Sequence, residues 1–287
     1  MSNRATRILL CVPPAYGRDV PPLGTPTLMG FLLSKDIRAS QVDLNLSYFD
    51  YIKENKLEKM LDPSFIKDKL KRKVYYHEVL KYKGTHNALA YAFERNPGSG
   101  FAFTEKMLSS KWLFRYLKDG DENPFVGYFT KRVRPIIDRE KPTIIGFSIT
   151  CPSQVIASFT FGCLVKMRSP DIKIVIGGQW ASLFREALMK RSDFKSSYDF
   201  IIYFEGETPL EKLARAVESD SGLADVPNLI YMERGSFKPS SRVTEEDMDK
   251  LPTPDFDGLP IMKYVDSRAA KRPVLTFETS RGCYWNK

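Results

Sequence analysis

Apolar positions in this chain gather into short runs, each followed by a stretch with helical spacing. Arg7-Ile8-Leu9-Leu10-Cys11-Val12 opens the series and stops at Pro13-Pro14. A continuous apolar run of this length suits a strand buried on both faces of a parallel sheet. The loop from Ala15 to Gly24 is too rich in Pro and Gly for a regular element. Thr25 to Lys35 reads as a helix, with Leu28, Met29, Phe31, Leu32 and Leu33 on its buried side, and Gln41 to Leu46 as a second strand. A third strand is predicted over Pro142–Thr150, a helix over Ser153–Arg168, and a fourth strand over Ile172–Ile176, running into Gly177-Gly178. After another helix, Phe200–Phe204 reads as the fifth strand and Leu210–Val217 as the closing helix. Five strands alternating with helices imply a doubly wound parallel α/β sheet with right-handed crossovers.

The pattern divides the chain. Residues 1–50 and 136–220 form the α/β domain. Residues 51–135 read as a helical insertion, broken at Pro63, Pro97-Gly98 and Asp119-Gly120. Residues 221–273 are rich in Ser, Asp and Pro and read as a linker wrapping a surface. Within it sit a hairpin-like piece, Asn228–Met232 then Gly235–Phe237, and Leu251-Pro252-Thr253-Pro254. Residues 274–287 begin with a strand-like run, Val274 to Phe277, and reach Ser280-Arg281-Gly282-Cys283-Tyr284-Trp285.

Composition fits a globular protein, with 43% hydrophobic and 13% aromatic residues. No apolar run approaches the ~18 residues needed to cross a bilayer. The start of the chain has neither the apolar length nor the cleavage site of a secretory leader. Four scattered cysteines give no disulfide framework, so the expected compartment is cytoplasmic. The formal charge of +9 is uneven: residues 53–83 hold ten basic residues against five acidic ones. That segment could meet a peptide or another acidic substrate, although a solvated helical face explains it as well. Nucleic acid is the less favoured partner.

Ligands of an open parallel sheet sit beyond the carboxyl ends of its strands. Here the loop after the first strand offers Tyr16, Leu23 and Gly24. The third strand ends in Ser148-Ile149-Thr150-Cys151, the fourth in Gly177-Gly178-Gln179-Trp180, and the fifth in Glu205-Gly206-Glu207. Glycines let a ligand approach the backbone, and hydroxyls and main-chain N–H groups can grip it. Each is weak alone: Ser148 and Thr150 could serve local turns, and Glu205 and Glu207 could cap the next helix. The phosphate-binding glycine patterns of nucleotide folds are missing.

In order, Val12-Pro13-Pro14, Pro21-Pro22-Leu23-Gly24, Asp43-Leu44-Asn45, Gly146-Phe147-Ser148, Ile176-Gly177-Gly178, Glu205-Gly206-Glu207 and Leu251-Pro252-Thr253-Pro254 resemble the N-terminal domain of cobalamin-dependent radical S-adenosylmethionine (radical SAM) proteins. The resemblance covers the chain apart from residues 51–135. It implies a Rossmann-like, cobalamin-binding sheet followed by a linker entering a radical SAM barrel. Cobalamin would lie on the carboxyl edge, its nucleotide tail near Ser148, Thr150 and Gly177-Gly178, with Trp180 and Glu205-Gly206-Glu207 bordering the same crevice. The Asp-x-His-x-x-Gly motif of other cobalamin domains is absent. The only histidines, His77 and His86, fall in the insertion. Cobalamin would then bind with its own base displaced and no protein histidine on cobalt.

Ser280-Arg281-Gly282-Cys283 likewise resembles the start of the loop that holds a [4Fe–4S] cluster, which makes Cys283 a candidate metal ligand. The commonest family spacing places a second cysteine where Lys287 stands. Cys11, Cys151 and Cys163 are not assigned to a cluster. The expectation is a chain catalytically incomplete as it stands, with the cluster and S-adenosylmethionine belonging to a full-length parent, for which the resemblance implies a methyltransferase. Two alternatives stay open: a cobalamin-free Rossmann-like binding module, and an interaction domain whose basic insertion docks on peptide or RNA.

Overall fold

The strands that the apolar runs predict come together in one seven-stranded sheet of order β2-β1-β3-β4-β5-β6-β7. The computed structural model describes residues 5–14, 16–17, 20–55, 117, 123–264 and 272–282. Its strands are β1 (Arg7–Val12), β2 (Arg38–Asp43), β3 (Ile144–Ser148), β4 (Lys173–Gly177), β5 (Phe200–Ile202), β6 (Leu229–Glu233) and β7 (Ser236–Pro239). β1 to β5 are parallel, and β6 and β7 add on antiparallel. The chain crosses from β2 over β1 to β3, so strand order reverses between β1 and β3. The expected α/β sheet therefore forms, wider by two strands than the sequence suggested.

The hairpin of the 221–273 segment supplies those two strands. Arg234 and Gly235 carry φ of 49° and 85°, the two positive values of a tight turn whose twist matches its strands. Leu229, Ile230 and Tyr231 are buried, so this part of the segment is core. The stretch after it also docks firmly. A Cβ on Gly30 would lie 2.4 Å from the Thr253 carbonyl oxygen, and the Gln41 amide donates to the carbonyls of Asp255 and Asp257 at 2.7 and 2.8 Å.

Helices cover both faces: α1 (Gly24–Ser34), α2 (Leu44–Glu54), α3 (Pro124–Tyr128), a π turn (Phe129–Val133), α4 (Arg134–Glu140), α5 (Val155–Arg168), α6 (Gln179–Met189) and α7 (Glu207–Ser219). Odd and even strand positions point to opposite faces. Leu9, Cys11, Ile145, Phe147, Ile174, Ile176 and Ile201 pack with α2, α3, α5 and α6, whereas Ile8, Leu10, Ile144, Val175 and Ile202 pack with α1 and α7. Burial on this scale removes apolar surface at about 25 cal/mol per Å2 and holds the layers together. α5 is buried nearly all round from Val155 to Cys163, which is why its pattern shows no polar stripe.

Two predicted boundaries shift. Gln41–Leu46 is strand only to Asp43, because the Asp43 carboxylate accepts the Leu46 N–H at 2.7 Å and starts α2 at once. Residues 273–277 form no strand: among the described residues no ladder partner reaches them, and Val274, Leu275 and Phe277 are 52, 48 and 78% exposed. The first residues of the 51–135 segment belong to α2, and its last belong to α3, the π turn and the start of α4, with Phe125, Tyr128 and Phe129 buried. Nearly all the rest of that segment, with His77, His86 and most of its basic residues, lies outside the described residues, as does Cys283. Among the described residues no helix is long and apolar enough to cross a membrane.

Candidate functional site

A crevice of about 610 Å3 opens at the carboxyl edge of β1, β3, β4 and β5. It spans the β1/β3 reversal in strand order, where open α/β sheets take their ligands. Its floor is one face of the sheet. Leu10, Gly146 and Val175 lie in one row across the strands, and Ser148 and Gly177 in the next. Because every second residue faces this side, Gly146, Ser148 and Gly177 lower the floor, while their neighbours Phe147 and Ile176 fill the opposite core. The walls are Thr27 and Leu28 of α1 and Leu210 of α7. A Cβ on Gly146 would sit 3.3 Å from Leu10 Cδ2, so any larger side chain there would occupy the slot itself.

The rim is held by side chains that bind backbone. Asn45, fully buried, accepts the Tyr16 N–H at 3.0 Å and donates to the carbonyls of Tyr16 and Gly17 at 3.2 and 3.1 Å, which fixes the loop after β1. The Gln154 amide oxygen accepts the N–H groups of Thr150 and Cys151 at 2.8 and 3.2 Å, and its amide nitrogen donates to the Pro13 carbonyl at 3.0 Å. It thus staples the end of β3 to the end of β1. Gly178 begins α6 with φ of 92°, and a Cβ there would meet the Ile149 carbonyl oxygen at 2.6 Å. Only glycine fits that close approach. Ser182 accepts the Phe204 N–H at 2.7 Å and donates to the Gly178 carbonyl at 3.0 Å, joining the ends of β4 and β5. Phe204 itself has φ of 61°, is 52% exposed, and lies with its ring 4.9 Å from the Arg185 guanidinium.

Tyr16, Leu23, Gly24, Ser148, Thr150, Gly177, Gly178, Gln179, Glu205, Gly206 and Glu207 all line this crevice. Two further candidates lie elsewhere. Trp180 is turned into the opposite core, packed at 6.4 Å from Phe159 and 5.1 Å from Phe184. One residue along α6 rotates a side chain by about a quarter turn, which separates Trp180 from Gln179. Cys151 points to Ser153 and Gln154, at 3.0 and 3.6 Å. Burial raises its thiol pKa, against hydrogen bonds from Ser153 and Gln154 that lower it, so it stays protonated. Burial also raises the pKa of Tyr16, and Cys151 adds to the effect. Among the described residues no group of three or more His, Cys, Asp or Glu is placed to hold a metal ion.

The sequence did not single out the charged cluster on the rim. Arg281 donates from Nη1 to Glu205 at 3.2 Å, from Nη2 to Glu207 at 2.6 Å, and from Nε to Glu278 at 2.9 Å. Burial works against its charge, but the hydrogen bonds of Glu207 and Glu278 and the charge of Glu207 outweigh it, and its pKa rises. Glu278, Arg281 and Gly282 therefore line the crevice together with the sheet edge. The acid–Gly–acid triplet and the arginine before Gly282 were the available signal, separated by over seventy residues.

No protein-family model matches the chain. It is 27% identical over 155 residues to an uncharacterized methyltransferase of Pyrococcus horikoshii, which takes in 54% of this chain and 32% of that protein. The chain thus spans about a third of the length of the curated relative it matches. Among solved structures it is similar to the radical S-adenosylmethionine methyltransferase TsrM from Kitasatospora setae, with cobalamin and a [4Fe-4S] cluster bound, at a TM-score of 0.40 and 13% identity over 83% of this chain and 31% of that one. It is also similar to the cobalamin-dependent S-adenosylmethionine radical enzyme OxsB, with aqua-cobalamin and S-adenosylmethionine bound, at a TM-score of 0.48 and 15% identity over 88% of this chain and 24% of that one.

Proposed function

We propose that the crevice binds cobalamin and that the protein serves methyl transfer, in the manner of the radical SAM proteins its motifs resemble. The observation that carries this reading is the slot in the sheet face, lowered at Gly146, Ser148 and Gly177 and running under α1 and α7. Its volume of about 610 Å3 suits a bulky ligand rather than a lone anion, since ligand pockets commonly measure ~300–1,000 Å3. The methyltransferase relative from Pyrococcus horikoshii supports the same direction.

When bound, cobalamin supplies a cobalt centre able to carry a methyl group. The residues of this chain hold and shield it. Gly24, Gly177 and Gly178 offer main chain at the rim, Ser148 and Thr150 offer hydroxyls, and Leu10, Leu28, Val175 and Ile202 exclude water from the slot. The lining holds no imidazole, so cobalt would draw no histidine from these residues. A [4Fe–4S] cluster and S-adenosylmethionine are the further cofactors the resemblance implies for the family, with Cys283 as one candidate cluster ligand.

The test mixes purified protein with hydroxocobalamin, desalts it and records the visible spectrum. A corrinoid spectrum in the protein fraction, at about one per chain, is the expected outcome for a single pocket. A colourless protein fraction at saturating corrinoid ends this reading.

A further inference from the structure

The segment leading to Cys283 does not leave the crevice freely. Residues 278–282 cross its rim, and Arg281 fastens them there. Its three donor nitrogens reach three different carboxylates, Glu205, Glu207 and Glu278, at 3.2, 2.6 and 2.9 Å. Glu278 lies in the same turn, while Glu205 and Glu207 sit where β5 passes into α7. The Glu207 side chain is only 4% exposed and that of Glu205 17%. Their other oxygens are already taken: Glu207 accepts the Gly206 N–H at 3.0 Å, and Glu205 accepts the Glu246 N–H. A carboxylate this buried needs a cation, because desolvation is costly unless it is paired. Arg281 is the cation placed to serve both. A guanidinium fork meeting separate acceptors fixes orientation as well as distance, which an ammonium would not do.

Val274, Leu275 and Phe277, just before this turn, are exposed and bury little surface to hold it. Among the described residues the ion cluster is thus the main tie between the turn and the sheet edge. We propose that Arg281 is a positioning residue that pins the 278–282 turn across the mouth of the crevice. Pinned there, the turn covers part of the crevice mouth, and ligand exchange waits on its release. This second part rests on the crevice being the ligand site.

Two variants and two readouts test it on the full chain. Arg281→Ala removes the fork, and the double substitution Glu205→Gln with Glu207→Gln removes its acceptors without burying an orphaned charge. Chymotryptic cleavage after Phe277, followed by mass, reads the hold on the turn without any ligand. Loss of bound hydroxocobalamin on dilution reads exchange. Since charge-assisted hydrogen bonds are the tie, both rates should rise about tenfold in each variant. Arg281→Ala, which leaves Glu207 buried without its cation, should also lower the melting temperature, whereas the double substitution should hold it near that of the unaltered protein. Arg281→Lys, which keeps the charge and loses the fork, should fall between. Unchanged cleavage in both variants overturns the pinning, whether or not corrinoid binds. Faster cleavage with unchanged corrinoid loss overturns the link to exchange. If the unaltered protein takes up no corrinoid, the cobalamin reading fails separately, and cleavage alone decides the role of Arg281.

Discussion

The two faces of this sheet are made by alternate residues of the same strands and come out opposite in character. On one face Phe147 and Phe161 approach to 6.2 Å, Phe161 meets the Phe125 edge at 6.1 Å, and Tyr48 and Tyr128 close the cluster at 5.2 Å. On the other, at the same height of the sheet, Gly146, Ser148 and Gly177 leave a slot of about 610 Å3. The aromatic face fixes the positions of β3 and β4, which lets their other face stay open. A protein interior is close-packed, so an opening of this size in one face must be supported by rigidity elsewhere.

That contrast can be broken at graded cost. The largest effect belongs to the filled face: in Gly162→Ala the new Cβ would lie 1.8 Å from the Ser197 carbonyl oxygen, a backbone atom that no rotamer change can move away. We expect a loss of at least about 4 kcal/mol, read as collapse of the thermal unfolding transition. Next comes Tyr264→Phe. Tyr264 is fully buried and its hydroxyl donates to the buried Asp43 carboxylate, so its removal orphans that oxygen at a cost of about 2 kcal/mol in chemical denaturation.

Burial raises the Asp43 pKa in the folded protein, against the hydrogen bond of Tyr264 that lowers it. A carboxyl with a raised folded pKa binds its proton more tightly folded than unfolded. It therefore loses stability as pH rises from its unfolded value toward the folded one. Without the Tyr264 hydroxyl that loss deepens, so the penalty of Tyr264→Phe should grow from acid to neutral pH.

The open face should respond in binding instead of stability. Gly146→Leu projects into the slot and should change stability by no more than about 1 kcal/mol, while corrinoid uptake disappears from the desalting assay. The smallest effect is Ser148→Ala, which removes one hydroxyl from the floor and should weaken corrinoid affinity by about fivefold in a spectral titration. If Gly146→Leu unfolds the protein as Gly162→Ala does, the two faces are not independent and the comparison fails.

Much of this architecture is written in local pattern. Ile144-Ile145-Gly146-Phe147-Ser148 already shows large residues on one phase and small ones on the other, and the strand-end glycines marked the edge where the crevice opens. What stayed hidden depends on phase or on distance. Trp180 follows Gly178-Gln179 and looked like a rim residue, but the turn of α6 sends it into the aromatic core. The hairpin at Leu229–Pro239 read as linker because its pairing with β5 is a long-range choice that no local spacing states. The tie of Arg281 to Glu205 and Glu207 is hidden for the same reason: opposite charges far apart in sequence carry no register.

The most direct measurement is a spectral titration of the unaltered protein and Gly146→Leu with hydroxocobalamin, alongside their melting curves. The account predicts saturation at about one corrinoid per chain for the former, none for the latter, and matching unfolding transitions. Equal uptake by both proteins, or none by either, would contradict it.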